Sequence, residues 1–262
     1  MRIAVASGKG GTGKTTVAVN LAYFNSVDLF DLDVEEPNDH IFIKGERSER
    51  KAYRKVPMVK DNCNGCRVCK EVCNYSAIFV IDKAYVFPEL CHSCGACSYF
   101  CPENAIEEVD REIGKIITVN GDITLIYGEL AIGEASPVFL IKQVKDSMGK
   151  TAIIDCPPGN SCPMVESVVD SDYVLLVAEP TPFSLHDLKL AVQVVSELKK
   201  DFGVVINKYG LPFNGVEKYC KENGIEIIGK IPFKAEIAKA YSRGELLYDL
   251  KGLFKEIYEV IA

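Results

Sequence analysis

The sequence lacks both a long apolar run and an excess of basic charge. A membrane-spanning helix needs about 20 consecutive apolar residues, and no apolar run among these 262 residues is that long. The 37 acidic residues outnumber the 30 basic ones, for a net charge of -7, so no overall positive field favours nucleic acid or an anionic membrane. Met1 leads at once into an apolar run, without a basic or apolar leader segment. We therefore expect a cytoplasmic protein without nucleic-acid partners, for which membrane association is disfavoured.

Cysteine, in contrast, is abundant, with 11 residues. Disulfides are rare in the reducing cytoplasm, so this number of thiols indicates metal binding. Eight of the cysteines form two runs with the same C-x2-C-x2-C-x3-C spacing. The first run is Cys63, Cys66, Cys69 and Cys73, and the second is Cys91, Cys94, Cys97 and Cys101.

A phosphate-binding loop is predicted near the start of the chain. Its residues are Gly8, Lys9, Gly10, Gly11, Thr12, Gly13, Lys14, Thr15 and Thr16. The loop follows the apolar run Ile3–Ala6 and precedes a helix-forming run, as a P-loop does. Its glycines allow backbone N–H groups to surround an anion at the helix N-terminus. We expect Lys14 to reach the β- and γ-phosphates of a nucleotide and the Thr15 hydroxyl to bind Mg²⁺.

A second lysine, Lys9, directly follows the first glycine of this loop. With it the motif resembles the deviant P-loop of the MinD/ParA family of ATPases. The resemblance implies a dimer that binds and hydrolyses ATP, in which Lys9 crosses the interface to contact the partner's nucleotide. The dimer is expected to form from two copies of this chain or from this chain and a similar subunit.

Acidic residues follow two apolar runs, where the strands of an open α/β sheet carry their chemistry. Asp31 and Asp33 lie on the same face of a predicted strand, and either is a candidate for the role that the family gives its switch I aspartate, positioning the attacking water. We assign that role to Asp33. By the same resemblance Asp155 holds Mg²⁺ through water, and Gly159 offers its N–H group to the γ-phosphate.

Asn207 ends a further predicted strand, in the dipeptide Asn207-Lys208. The family resemblance implies that Asn207 contacts the purine. GTPases place a guanine-reading aspartate after their Asn-Lys motif, whereas residue 210 here is Gly210. Adenine is therefore the expected base.

The duplicated cysteine spacing resembles that of bacterial ferredoxins with two 4Fe-4S clusters. In that pattern the fourth cysteine of each run ligates the other cluster. One cluster is thus expected on Cys63, Cys66, Cys69 and Cys101, and the other on Cys91, Cys94, Cys97 and Cys73. Structural zinc is the alternative, but zinc sites usually show isolated C-x2-C pairs. Pro102 fits the ferredoxin pattern, and Asn74 departs from it.

Alternating predicted strands and helices favour an α/β fold with a doubly wound, mostly parallel P-loop sheet. We predict that residues 1–55 and 111–262 form a discontinuous ATPase domain, with an inserted α+β ferredoxin-like domain at 56–110. The charged segment 41–60 is expected to be a solvated linker, and Asn120-Gly121 to be the turn of a hairpin. The C-terminal helix at 250–261 is expected to face the core.

Three functions remain open. The chain resembles MinD-superfamily ATPases with an inserted ferredoxin, related to the nitrogenase iron protein and to Mrp-type iron-sulfur carriers. We favour ATP-gated electron transfer to a redox client. The alternatives are an iron-sulfur or metallocofactor assembly carrier and a spatial regulator with redox-sensing clusters. Cys162 is a weaker candidate for a bridging cluster, because two copies in a dimer supply only two thiolates.

Overall fold

A nine-stranded sheet organises the computed structural model, which describes all residues from 1 to 262. The strands are β1 Arg2–Ala6, β2 Leu29–Asp31, β3 Glu46–Val59, β4 Ile78–Val80, β5 Ala84–Val86, β6 Ile106–Asn120, β7 Thr124–Leu130, β8 Ala152–Asp155, β9 Tyr173–Ala178, β10 Asp201–Tyr209 and β11 Ile227–Pro232. The order across the large sheet is β11-β10-β9-β1-β8-β2-β7-β6-β3. Neighbours from β11 to β7 run parallel, whereas β6 and β3 join as antiparallel strands at one edge. The predicted mostly parallel α/β fold is confirmed.

Helices cover both faces of this sheet. The helices that do so are α1 Lys14–Asn25, α4 Val138–Lys145, α5 Cys162–Val168, α6 Pro182–Glu197, α7 Gly215–Glu222, α8 Ala235–Ser242 and α9 Lys251–Ile261, while the short helices α2 Val68–Glu71 and α3 Ala96–Tyr99 lie between β3 and β6 in the chain. Two apolar cores of similar size, with 27 and 25 buried residues, lie on opposite faces of the sheet because successive strand residues point to opposite sides. The sheet is therefore doubly wound, as predicted.

The C-terminal helix α9 packs into one of these cores, as expected. Phe254 and Ile257 are fully buried, and the ring of Phe254 lies 6.2 Å from that of Phe24 in α1. None of the helices combines the length and the apolar character that crossing a bilayer requires.

The prediction of a solvated linker at 41–60 is wrong. Residues 46–59 form β3, a 14-residue strand paired with β6 along its whole length. The charges that indicated a linker form cross-strand ion pairs, among them Lys51 with Glu112 and Lys55 with Asp110. Charged side chains on an edge strand also discourage pairing with other chains. The predicted hairpin at Asn120-Gly121 is confirmed by the antiparallel pairing of β6 with β7.

The part of the chain between β3 and β6 forms a small unit, which we call the cysteine-rich unit (residues 60–105). It contains α2, α3 and the two-stranded sheet of β4 and β5. Its core is made of five of its own buried residues and one from β6, namely Cys69, Ile78, Val80, Ala84, Cys97 and Ile106. The expected boundaries at 56 and 110 fall inside the β3–β6 ribbon, where Lys55 pairs with Asp110.

A β-bulge marks the place where this ribbon leaves the main sheet. Ala52 pairs with Gly114 and Tyr53 with Glu112, so that Ile113 has no opposite residue. Gly114 has φ 150°, and a Cβ atom there would lie 2.2 Å from the carbonyl oxygen of Glu129. Only glycine fits, because the β7 backbone approaches this closely. Beyond the bulge β6 no longer pairs with β7, and the ribbon continues as two strands to the cysteine-rich unit.

Candidate functional site

The predicted phosphate-binding loop joins β1 to α1 at the carboxyl edge of the sheet. Gly13 has φ 90°, and a Cβ atom there would lie 2.0 Å from Nδ2 of Asn207. That same Nδ2 atom donates to the Thr12 carbonyl oxygen over 2.7 Å. The buried Asn207 amide thus supports the loop from β10, a contact that the sequence did not predict. It also lines the cavity beside the loop.

Lys14 and Thr15 both contact Asp155, which ends β8 next to β1. The Lys14 ammonium forms a buried ion pair with Oδ1 of Asp155, and the Thr15 hydroxyl donates to Oδ2 over 2.7 Å. Burial acts to lower the pKa of Lys14, but the charge of Asp155 outweighs it and the pKa lies above its ordinary value. The structure therefore brings together the three side chains to which the sequence assigned phosphate and Mg²⁺ binding.

A third buried acid, Asp39, accompanies the two expected ones. Carboxylate oxygens of Asp31, Asp39 and Asp155 lie within 4.8 Å of one another. Burial raises the pKa of Asp31 to about 7, and Asp155 adds to this shift. Burial, together with Asp31, also holds the pKa of Asp39 well above its usual range. Sequence reasoning missed Asp39 because it lies outside any strand, in a short 3-10 turn after Asn38.

Asp31 and Asp33 occupy different environments. Asp31 is buried and accepts backbone N–H groups of Asp33 at 2.9 Å, Asn38 at 3.0 Å and Asp39 at 3.3 Å. Asp33 is partly exposed and lines the cavity. Burial raises its pKa to about 6, although the Lys14 charge opposes this rise. Asp31 thus holds the loop in place, while Asp33 faces the cavity.

The cavity beside the loop has a volume of about 400 Å³, within the range of small-molecule sites. Its lining combines the phosphate-binding loop with the segment after β2 and the segment after β11. The lining residues are Ser7, Lys9, Gly10, Gly11, Gly13, Lys14, Thr15, Thr16, Asp33, Glu36, Asn38, Pro158, Asn207, Lys208, Pro232, Phe233, Lys234, Ile237, Ala238 and Tyr241. Sequence reasoning did not predict the apolar wall of this cavity, which runs from Pro232 to Tyr241. The only feature of the sequence that indicated it is the dipeptide Pro232-Phe233 at the end of the last strand.

Lys9 pairs with an acid of its own chain. Its Nζ atom lies 2.7 Å from Oε1 of Glu179, while Nζ of Lys208 lies 2.7 Å from Oε2. Burial would raise the pKa of Glu179, but the two lysines hold it below its ordinary value. Glu179 follows β9 in the chain and was not singled out by the sequence.

Gly8 and Gly159 are already engaged with neighbouring backbone. A Cβ atom at Gly8 would lie 2.2 Å from the carbonyl oxygen of Asp187 in α6. The N–H group of Gly159 donates to the Ser7 carbonyl oxygen over 3.0 Å. Gly159 can therefore donate this N–H group to a phosphate only if its hydrogen bond to Ser7 breaks first.

The eight duplicated cysteines line two separate pockets in the cysteine-rich unit. The first cysteine pocket is lined by Cys63, Cys66, Cys69 and Cys101, and the second by Cys73, Cys91, Cys94 and Cys97. Each pocket thus combines three cysteines of one run with the fourth of the other. No three of these sulfur atoms lie within 4.8 Å of one another.

The remaining cysteines lie in the main domain. Cys156 and Cys220 are fully buried, as expected of small apolar residues. Cys162 is exposed at the first position of α5. None of the three lines either cysteine pocket.

Comparison with known proteins identifies the family of the chain. Residues 3–247 match the model of the CobQ/CobB/MinD/ParA nucleotide binding domain. The uncharacterized protein MJ0578 of Methanocaldococcus jannaschii is 35% identical over 276 residues, covering 99% of this chain and 95% of that protein. An iron-sulfur cluster carrier protein of the same organism is 24% identical, covering 99% of this chain and 83% of its own length.

Among solved structures, the septum site-determining protein MinD of Pyrococcus horikoshii, complexed with Mg-ADP, has a TM-score of 0.59 at 18% identity. The alignment covers 99% of this chain and 95% of that one. This similarity concerns the fold, while the family match rests on the sequence. The chain belongs to the CobQ/CobB/MinD/ParA family of nucleotide-binding proteins.

Proposed function

We propose that this protein is a dimeric ATPase that carries two 4Fe-4S clusters and couples Mg-ATP turnover to electron transfer to a redox client. The observation that carries the proposal is the presence, in one chain, of a P-loop site and of two pockets that each present four cysteines. We take the cysteine-rich unit, with the adjoining ribbon to residues 56 and 110, as an inserted ferredoxin-like domain.

ATP binding follows from the charges around the loop. Lys14 exchanges its ion pair with Asp155 for the β- and γ-phosphates, because a triphosphate offers more negative charge than one carboxylate. Asp155 is then free to hold Mg²⁺ through water, and Thr15 supplies its hydroxyl to the same ion. Asn207 and the apolar wall from Pro232 to Tyr241 receive the adenine.

Hydrolysis needs a group that orients water towards the γ-phosphate. Of the two acids that line the cavity, Asp33 is partly buried and Glu36 is exposed. Asp31 fixes the backbone of the segment that bears Asp33. A carboxylate in this position accepts a hydrogen bond from the water and aligns it for attack. Loss of the γ-phosphate then allows the Gly159 N–H group to return to Ser7, which makes this loop a nucleotide-dependent switch.

Dimer formation is the step in which Lys9 acts. Within one chain Lys9 is held by Glu179, and in the proposed dimer it leaves Glu179 for the partner's nucleotide. The dimer consists of two copies of this chain or of this chain and a similar ATPase subunit.

The two cysteine pockets suit iron-sulfur clusters better than single ions. Tetrahedral zinc, with Zn–S bonds of about 2.3 Å, would bring its four thiolates to about 3.8 Å from one another, whereas no three sulfurs of either pocket lie within 4.8 Å of one another. Burial raises the pKa of the Cys97 thiol to about 11, and a bound cation would lower it. Cys63, Cys66, Cys69 and Cys101 would hold one cluster, and Cys91, Cys94, Cys97 and Cys73 the other. When bound, such clusters accept and donate single electrons.

A second candidate is an iron-sulfur cluster carrier, because relatives at 23% to 24% identity bear that name. Complete four-cysteine ligation favours retention of clusters over release. The C-terminal half also has no C-x-x-C pair to hold a cluster shared between subunits. We therefore favour electron transfer.

An EPR-monitored redox titration of the anaerobically purified protein, with and without Mg-ATP, tests the proposal beside a cluster-transfer assay with apo-ferredoxin. Electron transfer predicts two stable clusters whose potentials shift with nucleotide and that stay on the protein. Cluster movement to apo-ferredoxin during turnover would make the protein a carrier. Stable clusters whose potentials do not change with nucleotide would favour a spatial regulator. A Lys14→Ala variant is the control and should lose every nucleotide effect.

A further inference from the structure

The cysteine-rich unit is attached to the main sheet by a narrow support. Beyond the bulge at Ile113, the ribbon of β3 and β6 has no third strand in the main sheet. A two-stranded ribbon is by itself only marginally stable. The orientation of the unit therefore depends on contacts beside the ribbon.

One buried side chain supplies several of these contacts. Arg54 projects from β3 with a side chain that is only 4% exposed. Its Nη1 atom donates to the carbonyl oxygen of Cys91 over 2.6 Å, and its Nη2 atom donates to that of Pro88 over 2.7 Å. Nη1 also lies 3.4 Å from the hydroxyl of Ser93. Arg54 thus holds the loop from Pro88 to Ser93, which begins the second cysteine run.

The same guanidinium is anchored to the main domain by Glu134, whose side chain is 3% exposed. Nε and Nη2 of Arg54 lie 3.2 Å and 2.8 Å from Oε2 of Glu134, while Arg111 donates to Oε1 over 2.7 Å. Two N–H groups of one planar guanidinium thus converge on a single carboxylate oxygen while the rest of the group reaches the loop, an arrangement that lysine, with a single point charge, does not reproduce.

Glu134 belongs to the segment that follows β7, and the last residue of β7 contacts the residue next to Asp33. The N–H group of Leu130, the last residue of β7, donates to the carbonyl oxygen of Val34 over 2.9 Å. Val34 directly follows Asp33. Hydrogen bonds and chain neighbours thus connect Asp33, through Val34 and the end of β7, to Glu134, Arg54 and the Cys91 carbonyl.

Aromatic rings reinforce the same junction. The ring of Phe139 in α4 lies 5.5 Å from the Arg54 guanidinium and 6.4 Å from the ring of His92. His92, the neighbour of Cys91, stacks on Tyr75 at 3.7 Å. Both Tyr75 and His92 line the second cysteine pocket.

We propose that Arg54 is a positioning residue that transmits the state of the nucleotide site to the second cysteine pocket. A shift of the Val34 segment on ATP binding moves the β7 end and Glu134, and Arg54 passes that movement to the Pro88–Ser93 loop. The first cysteine pocket has no such connection through Arg54, so nucleotide is expected to act on the second pocket. What that pocket holds rests on the proposed function.

Hydrogen exchange of the full chain, with and without Mg-ATP, tests this link. In the wild type, amides 89–95 should change their exchange on nucleotide binding. In Arg54→Lys they should exchange about tenfold faster or more, because buried hydrogen bonds to a charged group are lost. They should also no longer respond to nucleotide, while amides of the phosphate-binding loop still do. Lys51→Met, which removes an exposed ion pair on the same strand, is the control and should behave like the wild type.

Glu134→Gln tests the same link by a smaller change, if Arg54→Lys does not fold. A preserved nucleotide response of amides 89–95 in a folded variant of either kind overturns the proposal, as does the absence of any response in the wild type. The EPR potential of the second cluster is the companion measurement, and its nucleotide shift should vanish in the variants. A wild type without clusters, but with the exchange response intact, would refute the proposed function and leave the role of Arg54 standing.

Discussion

The Nζ atom of Lys9 lies 2.7 Å from Oε1 of Glu179 in the same chain. Lys208 shares that carboxylate through its other oxygen. The proposed dimer requires Lys9 to contact the partner's nucleotide, and a single ammonium group cannot satisfy both positions. Glu179 therefore competes with dimer formation.

Glu179→Gln should lower the protein concentration needed for dimerisation in Mg-ATP by roughly two- to fivefold, as expected for loss of one partly exposed ion pair. Sedimentation velocity measures this change. In the double variant Lys9→Ala/Glu179→Gln the gain should disappear, since the lysine that is released is missing. Weaker dimerisation of Glu179→Gln than of the wild type would show that Glu179 supports the dimer instead.

The same pair predicts a pH dependence. The lysines hold the pKa of Glu179 below its ordinary value, so the stabilisation is complete above the unfolded-state pKa and is lost as pH falls through the folded-state pKa. The difference between wild type and Glu179→Gln should therefore be constant near neutrality and shrink under acid conditions. The dimerisation measurement repeated across pH checks this, and a difference that grows on acidification would contradict it.

Asp31 and Asp33 should fail in different ways. Asp33→Asn should reduce single-turnover ATP hydrolysis by about 10²- to 10⁴-fold, the usual contribution of a general base, with ATP binding retained. Asp31→Asn should weaken ATP binding and lower the melting temperature, because an amide accepts fewer of the backbone N–H groups that Asp31 now holds. If Asp31→Asn lost hydrolysis while its ATP affinity and melting temperature stayed unchanged, Asp31 rather than Asp33 would be the residue that positions water.

Residues whose roles depend on their neighbours in the sequence were predictable from the sequence. The glycines and Lys14 of the phosphate-binding loop follow one strand and begin one helix, and Asp155 ends an apolar run. The cysteine spacing likewise predicted which cysteines share a pocket, because the duplication brings the fourth cysteine of each run beside the other run.

Residues that act through distant partners were not predictable. Arg54 and Glu134 are 80 positions apart, and Lys9 and Glu179 are 170 apart. The charges of β3 indicated a linker because their partners on β6 follow only after the whole cysteine-rich unit. Asp39 lies in a turn without periodicity, and only its burial beside Asp31 reveals it.

The core position of α9 predicts a large effect of Phe254→Ala. Removing a fully buried phenylalanine costs about 3–5 kcal/mol, which urea unfolding followed by circular dichroism would measure. Val260→Ala, at an exposed position of the same helix, is the control and should change stability by less than about 0.5 kcal/mol. Equal small effects would mean that α9 is not part of the core.

The ligand assignment predicts a selective loss in Cys94→Ala. Cys94 is exposed, so its replacement removes a thiolate with little loss of packing. The EPR signal of the cluster on the second cysteine pocket should disappear, and that of the first should remain. Cys162→Ala removes an exposed cysteine outside both pockets and should keep both signals.

The crossed pairing of the two runs gives a sharper version of this test. Cys101→Ala should affect the cluster that Cys63, Cys66 and Cys69 hold, although Cys101 belongs to the second run. Cys101→Ala and Cys94→Ala should therefore remove different signals. If both variants remove the same EPR signal, each run ligates its own cluster and the proposed exchange of the fourth cysteines is wrong. If Cys94→Ala keeps both signals, Cys94 is not a ligand.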